Sequence, residues 1–409
     1  MRLSKSYCHR NLSLESIVKT VLRSMSNVNK PQRTFIAALL ATLIVFQGKA
    51  TYRNMNRYSG MSEKRFSRWY SRSFDFALFN RRIIAHALPE NDRIAAIDAS
   101  FISKSGKLTE GLGWFYNGSV GQSQHGLEAS LISLIDLKLN TAFALDVRQT
   151  LDQNHKTRVE AYAEQVVEIA PELQEQGILY LVGDAYYSKE KFVSPVVKAG
   201  LKLVGKLRTD ADLQWFYEGE YCGVGRPKKF DGKVRFEKDL HRFEHVGRLQ
   251  EGIEIYTKKV YSKTFKCAIN VVMLRQTREN KTSRVLLYST DTELDALVII
   301  KYYKARFQIE FLFRDAKQYT GFTHCQSRKK EATHTHLNAS LSALNVLKLE
   351  DQLLKGSNDR TVISIASWKR KKFNQHLMEK LFDKLGLSLS IQKVAQVYKQ
   401  MSDYGAMAA

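Results

Sequence analysis

The stretch Tyr302-Tyr303-Lys304-Ala305-Arg306-Phe307-Gln308-Ile309-Glu310-Phe311-Leu312-Phe313-Arg314-Asp315-Ala316-Lys317 sets Tyr303, Arg306, Glu310 and Lys317 among apolar residues that favour a helix. At about 100° per residue, Tyr303, Arg306 and Lys317 fall roughly 20°, −40° and −20° from Glu310. One carboxylate then shares a narrow stripe with a phenol and two cations. That arrangement suits a metal ligand whose neighbours grip phosphates. At a usage of about 5% per residue type, chance places this four-residue pattern in such a chain only about a few times in a thousand.

Upstream, Ser289, Thr290 and Asp291 supply an N-cap signal, so one helix is expected to start there and run through Lys317. Farther back, Ile94 to Ile97 form a short apolar strand ending at Asp98. Two strands follow, Glu128 to Leu137 and Thr141 to Thr150, with a polar turn at Lys138 and Asn140 that reads as an antiparallel meander. An amphipathic helix is expected over Lys156 to Ile169. Ile178 to Gly183 is apolar enough for a strand buried on both faces, and it stops at Asp184. A helix over Lys189 to Lys198 and a fifth strand over Leu201 to Leu207 complete the run.

This order predicts an α/β fold with a mixed sheet ordered 3-2-1-4-5 and flanked by helices. Ligands of open α/β sheets bind at the carboxyl ends of strands, where Asp98 and Asp184 are expected. Strands 1 and 4 would be neighbours, so the two carboxylates can converge, and a helix packed on the sheet can bring Glu310 to them. Three carboxylates that close cannot all stay ionised in a dry site without a cation. All-oxygen ligation selects Mg²⁺ first and Mn²⁺ second. The plainer role for a strand-end Asp is to cap a turn or helix, and Asp136 and Asp146 are competing carboxylates on strands 2 and 3.

The formal net charge of +23 points to a polyanionic partner, nucleic acid first. Residues 1–90 hold 16 Lys and Arg against Glu15, Glu63, Asp75 and Glu90, a net of +12. Thr51 to Tyr70 suits two short helices broken at Gly60, with Met61, Phe66 and Trp69 inward. This resembles a helix-turn-helix in which Ser62, Lys64, Arg65 and Arg68 face DNA; a merely solvated basic face is the alternative. The longest apolar run, Phe35 to Phe46, is short of the ~20 residues of a spanning helix. With no secretory pattern at the N-terminus, the expectation is a cytoplasmic, nucleoid-associated protein without a membrane partner. Cys8, Cys222, Cys267 and Cys325 lack metal spacing and read as reduced structural thiols. The expected organisation is a helical DNA-binding domain over 1–90, a core over 91–209 and 291–350 interrupted by a β-rich insertion over 210–290, and a helical region over 351–409. Its Lys369 to Lys372 cluster is either a DNA contact or a solvated charge run.

Ile97-Asp98-Ala99-Ser100-Phe101 with Ser103-Lys104-Ser105-Gly106, then Gly183-Asp184-Ala185-Tyr186-Tyr187, then Tyr303 through Lys317 together resemble the DDE transposases of bacterial insertion sequences, in the group marked by a Tyr-Arg-Glu-Lys signature. The resemblance covers roughly residues 90 to 350 and is most specific in its last motif. It implies an RNase H-like core in which Asp98, Asp184 and Glu310 are catalytic and bind two Mg²⁺ ions about 4 Å apart. It also implies hydrolysis of a phosphodiester at the element's inverted repeats, then attack of the freed 3′-OH on target DNA, without a covalent enzyme intermediate. Tyr303, Arg306 and Lys317 would grip backbone phosphates; their structural alternative is a packed Tyr303 and an Arg306 paired with Glu310. Relatives can extrude a base at the cut. Trp215 is a candidate wedge for it, although a core position suits a Trp better. Pairing two element ends calls for a homodimer on DNA. The competing readings are a catalytically inactive DNA-binding relic and another RNase H-fold nuclease such as a resolvase.

Overall fold

A computed structural model describes residues 14–87, 92–151, 156–221, 223, 226–249, 252–278, 281–355 and 363–406. The N-terminal residues read for a secretory pattern, Cys8 and Cys222 lie outside these. Five helices come first: α1 (Leu14–Ser24), α2 (Lys30–Val45), α3 (Tyr52–Ser59), α4 (Glu63–Tyr70) and α5 (Phe76–Ala87). Then follow β1 (Arg93–Ser103), β2 (Gly113–Asn117), β3 (Gln122–Asp136), β4 (Thr141–Gln149), α6 (Arg158–Glu175), β5 (Tyr180–Val182), α7 (Glu190–Lys198) and β6 (Lys202–Leu207). The next six strands are β7 (Leu213–Phe216), β8 (Phe230–Lys233), β9 (Glu244–Leu249), β10 (Ile253–Ser262), β11 (Cys267–Arg278) and β12 (Lys281–Ser289). The chain closes with α8 (Ala296–Ala305), α9 (Gln308–Tyr319), α10 (Lys330–Leu354), α11 (Ile365–Leu385) and α12 (Gln392–Ser402).

All twelve strands belong to one mixed sheet, mostly antiparallel, ordered β2-β3-β1-β5-β6-β12-β11-β10-β7-β8, with β4 on β3 and β9 on β10. Within it β4-β3-β1 are antiparallel, while β5 and β6 run parallel to β1. The β-rich stretch is no separate body, because β12 pairs antiparallel with β6 from Leu286↔Leu207 to Ser289↔Val204. β2 has no counterpart in the expected meander, since Trp114, Phe115 and Tyr116 fall in a short run between glycines.

Alternation along the strands sends side chains into two apolar layers. Ile94, Ala96, Leu127, Ala129 and Leu131 pack with α1–α5 and α8–α10. Ala95, Ile97, Ile132 and Leu134 pack with α6, α7 and the strands after β6. The basic N-terminal helices thus share a core with the sheet, docked through α10. Ser62 caps α4 by accepting from Arg65 N at 3.3 Å, and Gly60, at φ 69°, ends α3 in the left-handed region where a glycine carries no steric penalty. Met61 and Phe66 are buried, Trp69 is half-buried against Phe35, and Ser62, Lys64, Arg65 and Arg68 are exposed.

Helix α10 seals the sheet's β4 edge with side chains that act as a neighbouring strand would. Asn345 accepts from Ala144 N at 2.9 Å and donates to Ala144 O at 2.7 Å. Asn338 donates to Val147 O at 2.9 Å, and Lys348 Nζ to Ala142 O at 2.6 Å. Where Leu145 bulges from the ladder, Asn80 on α5 donates to its carbonyl at 3.1 Å. Three of the four cations of the C-terminal basic cluster bond within the chain, while Arg370 is exposed. Lys369 is buried and donates to Leu43 O and Phe46 O, Lys371 pairs with Asp403 at 2.9 Å, and Lys372 pairs with Glu350. Trp215 is 1% exposed, with its indole N–H donating to Asp239 Oδ2 at 3.0 Å. A core Trp cannot serve as a wedge, so that role falls away.

Candidate active site

Asp98 sits in the middle of β1, not at its end as expected. β1 runs on to Ser103 because β3 accompanies it as far as Ser103↔Gly126, whereas β5 pairs only with Ala95 and Ala96. Beyond Ala96 one edge of β1 therefore loses the β5 ladder, and Asp98 stands at that opening, 22% exposed. Asp184 follows β5 after Gly183, where a side chain would lie 3.2 Å from Tyr187. Its carboxylate caps the single 3-10 turn of Ala185–Tyr187, accepting from Tyr186 N at 2.8 Å. The plain capping role and a position beside Asp98 thus coincide in one residue.

The expected single helix is two. At Arg306 and Phe307 the backbone tightens to bonds three residues apart, Ile309 N to Arg306 O at 3.0 Å and Glu310 N to Phe307 O at 3.1 Å. The break has a packing cause: α8 lies on β6, β11 and β12, while α9 lies on β1, β3 and β4 and against α10 and α11. Tyr303 and Arg306 come from the end of α8 and the joint; Glu310 and Lys317, two turns apart, come from α9. Arg306 Nη2 donates to Glu310 Oε1 at 2.8 Å, and Nη1 stands 3.8 Å from Asp98 Oδ2. Arg306 Nε is buried without a hydrogen-bond partner.

The charges report one neighbourhood. Burial raises the Asp98 carboxyl to about 7, Asp184 and Glu310 push it the same way, and the Ala99 N–H and Arg306 oppose them. Burial raises the Tyr303 phenol, with Arg306 opposing and Asp184 adding. Lys317 is lowered by burial, with Asp98 opposing. Asp136 and Asp146 are elsewhere: Asp136 accepts from Lys138 N and Leu139 N in the β3–β4 turn, and Asp146 pairs with Arg148 and Gln165. Glu128 lies on the sheet face opposite Asp98 and is buried against the Tyr162 hydroxyl.

Sequence reasoning missed two supports of the site. Lys104 Nζ donates to Cys325 O at 2.6 Å and Ser327 O at 3.0 Å, tying the end of β1 to the segment after α9. Two residues beyond Asp184, Tyr186 lines a cavity of about 470 Å³ together with Arg158, Lys189, Glu190 and Lys191. No spacing in the sequence marks either, because both join residues distant along the chain.

Asp98, Asp184 and Glu310 offer oxygen donors of the kind a divalent cation takes, and burial, followed by the Asp184 and Glu310 charges, raises the Asp98 carboxyl. Among the described residues, no group of three His, Cys, Asp or Glu side chains is placed to hold a metal ion. Arg306 is the cation that bridges Asp98 and Glu310. No helix of the described residues is long and apolar enough to cross a membrane.

A protein-family model described as a transposase DDE domain matches residues 89–346, a span that includes Asp98, Asp184 and the whole Tyr303 to Lys317 stretch. No curated protein matches the chain.

Proposed function

Because the chain belongs to the transposase DDE-domain family, we propose that it is the transposase of a bacterial insertion sequence of the Tyr-Arg-Glu-Lys group. It binds the inverted repeats of its element, cleaves the ends by Mg²⁺-dependent phosphodiester hydrolysis and joins the 3′-OH ends to target DNA. The observation that carries this reading is Arg306, which bonds Glu310 at 2.8 Å and stands 3.8 Å from Asp98, so that acids from β1 and α9 meet at one cation.

In this reading Asp98, Asp184 and Glu310 hold the divalent ions, Mg²⁺ or Mn²⁺. When bound, those ions supply an activated water and neutralise charge on the leaving oxygen. The half-buried Arg306 donates its unpartnered Nε–H and its Nη groups to a phosphate entering beside Asp98. Lys317 and Tyr303 flank that phosphate and fix the strand. Lys64, Arg65 and Arg68 on α4 present exposed cations to the repeat within a DNA-binding region over residues 1–90. A dimer on DNA, acting at the nucleoid, pairs the two ends.

The test is cleavage of DNA carrying the repeats that flank the gene, with Mg²⁺. Wild-type protein should cut at the element end, and Asp98→Ala should bind the same DNA without cutting it. Cleavage surviving in Asp98→Ala overturns the reading.

A further inference from the structure

The hairpin of β2 and β3 carries two large aromatic side chains in solvent, Trp114 at 66% and Tyr116 at 62% exposure. Directly opposed residues of an antiparallel pair point to one face. Trp114 opposes His125 and Tyr116 opposes Ser123 on β3, and Leu131, on the same alternation as both, opposes Asp98 on β1. Trp114, Tyr116 and Asp98 therefore lie on one face of the sheet. From Leu131 back to His125 is six residues of β3, about 20 Å at roughly 3.4 Å per residue. A DNA strand in stacked geometry advances about 3.4 Å per nucleotide, so that span is about six stacked nucleotides.

The aromatics do not stand in a neutral setting. The loop before β2 is clamped to the start of α10, with Glu110 N donating to Arg328 O at 2.9 Å and Lys330 N to Glu110 Oε2 at 3.1 Å. Exposed Lys107, Arg328, Lys329 and Lys330 lie on these two clamped segments, as do exposed Glu110 and Glu331. None of the four cations has an ion-pair partner among the described residues. The hairpin itself is firmly placed, because β1 and β2 both meet β3 at Gly126, where a side chain would lie 2.6 Å from Ile102 O.

We propose that Trp114 and Tyr116, backed by Lys107, Arg328, Lys329 and Lys330, form a stacking platform for locally unpaired DNA about six nucleotides from the scissile phosphate. Bases stack on the two rings while the cations take the backbone phosphates. The six-nucleotide distance rests on the active-site reading above; the platform's affinity for DNA does not.

The full-length protein is titrated in EDTA with a sixteen-residue oligothymidylate, read by tryptophan fluorescence and by anisotropy. The Trp114→Ala/Tyr116→Ala double variant should bind more weakly by roughly 30-fold or more, and Trp114→Phe/Tyr116→Phe should retain binding. Lys329→Ala/Lys330→Ala should flatten the log-log salt dependence by about 1.4. Unchanged affinity in the Ala double variant overturns the proposal whether or not the protein cleaves DNA. So does a change in the sedimentation of the DNA-free double variant with DNA affinity intact, which would assign the surface to a second copy of the chain. On element-end DNA, photocross-linking from iodouracil should peak at Trp114 or Tyr116 about six nucleotides from the mapped cut. A peak elsewhere refutes the distance, and absence of any cut with oligothymidylate binding intact refutes the active-site reading alone.

Discussion

Arg306 Nη2 lies 2.8 Å from Glu310 Oε1, so the motif's cation is paired with its carboxylate across the joint between α8 and α9. The same guanidinium stands 3.8 Å from Asp98. This contact is the one expected of a purely structural Arg306, and in the proposed function the same cation meets a phosphate beside the carboxylates. The two roles separate by experiment. With Glu310 40% exposed, a single such pair stabilises the fold by at most about 1 kcal/mol. At pH 6, where Asp98 holds its proton, Arg306→Ala should therefore change thermal unfolding little, yet lower end cleavage by about a hundredfold or more and reduce the salt slope of DNA binding by about 0.9. Arg306→Lys should not restore cleavage, because a point charge cannot reproduce the guanidinium's fork. A large loss of stability with normal salt dependence would leave only the structural role.

The Asp98 carboxyl, raised to about 7 in the folded protein from 3.8, binds a proton that the unfolded chain has released in between. Its contribution to stability is present below the unfolded value and is lost as pH rises through about 7, by up to about 4 kcal/mol. Ionised Asp98 then stands beside Asp184 and Glu310, offset by the Ala99 N–H and by Arg306. Added Mg²⁺ should raise the melting temperature more at pH 8 than at pH 6, since the ion competes with the proton. Asp98→Asn should stabilise the metal-free protein at pH 8 and abolish the pH dependence of the Mg²⁺ effect, both read by calorimetry.

Lys64, Arg65 and Arg68 lie exposed on α4, away from the carboxylates. Replacing all three by Ala should weaken binding of repeat DNA and lower the log-log salt slope by about 2.7 if each meets a phosphate. Cleavage at saturating DNA should be unchanged. A slope within 0.5 of wild type would remove α4 from the interface.

Part of this arrangement was readable in the residues and part was not. Asp98, Asp184 and Glu310 were legible because each is a lone acid ending or interrupting an apolar run. Periodicity also gave α3 and α4, with Gly60 between them. The joint at Arg306 and Phe307 was not legible: both residues keep helical dihedrals, and only the divergent packing of α8 and α9 shows the break. β2 was missed because Trp114 to Tyr116 is shorter than the window that alternation needs. Lys369 shows the same limit, since burial of one cation depends on contacts remote in sequence, whereas the core position favoured for Trp215 holds.

Asn345 illustrates the point and is itself testable. In sequence it is one polar residue of a helix, yet in the fold it is fully buried and makes both bonds that Ala144 would give a further strand. It also donates to Asn80 Oδ1 at 3.1 Å. Asn345→Ala should cost about 2–4 kcal/mol, because a buried N–H and C=O of β4 lose their partners. Urea unfolding measures this. A cost below about 1 kcal/mol would mean that water replaces the side chain or that β4 does not need it.

His336 supplies the acid limit of stability. It is buried on α10, and its Nε2–H donates to Gly321 O at 2.7 Å, so the neutral ring is the form the fold accommodates. Burial lowers its value to about 4 from 6.5, with the Gly321 carbonyl opposing. Between those values the unfolded chain binds the proton and the folded protein does not, so stability is present above about 6.5 and is lost as pH falls through about 4. The span corresponds to at most about 3 kcal/mol. Gly321, at φ 75°, is wedged against Ala50 and His324, so this bond anchors the turn after α9 and, through α9, the carboxylate of Glu310. His336→Gln retains a donor without a titrating ring. It should remain folded at pH 7 and show a shallower loss of stability between pH 6.5 and 4 than wild type. Parallel acid-unfolding curves for the two proteins would assign the acid sensitivity to other groups.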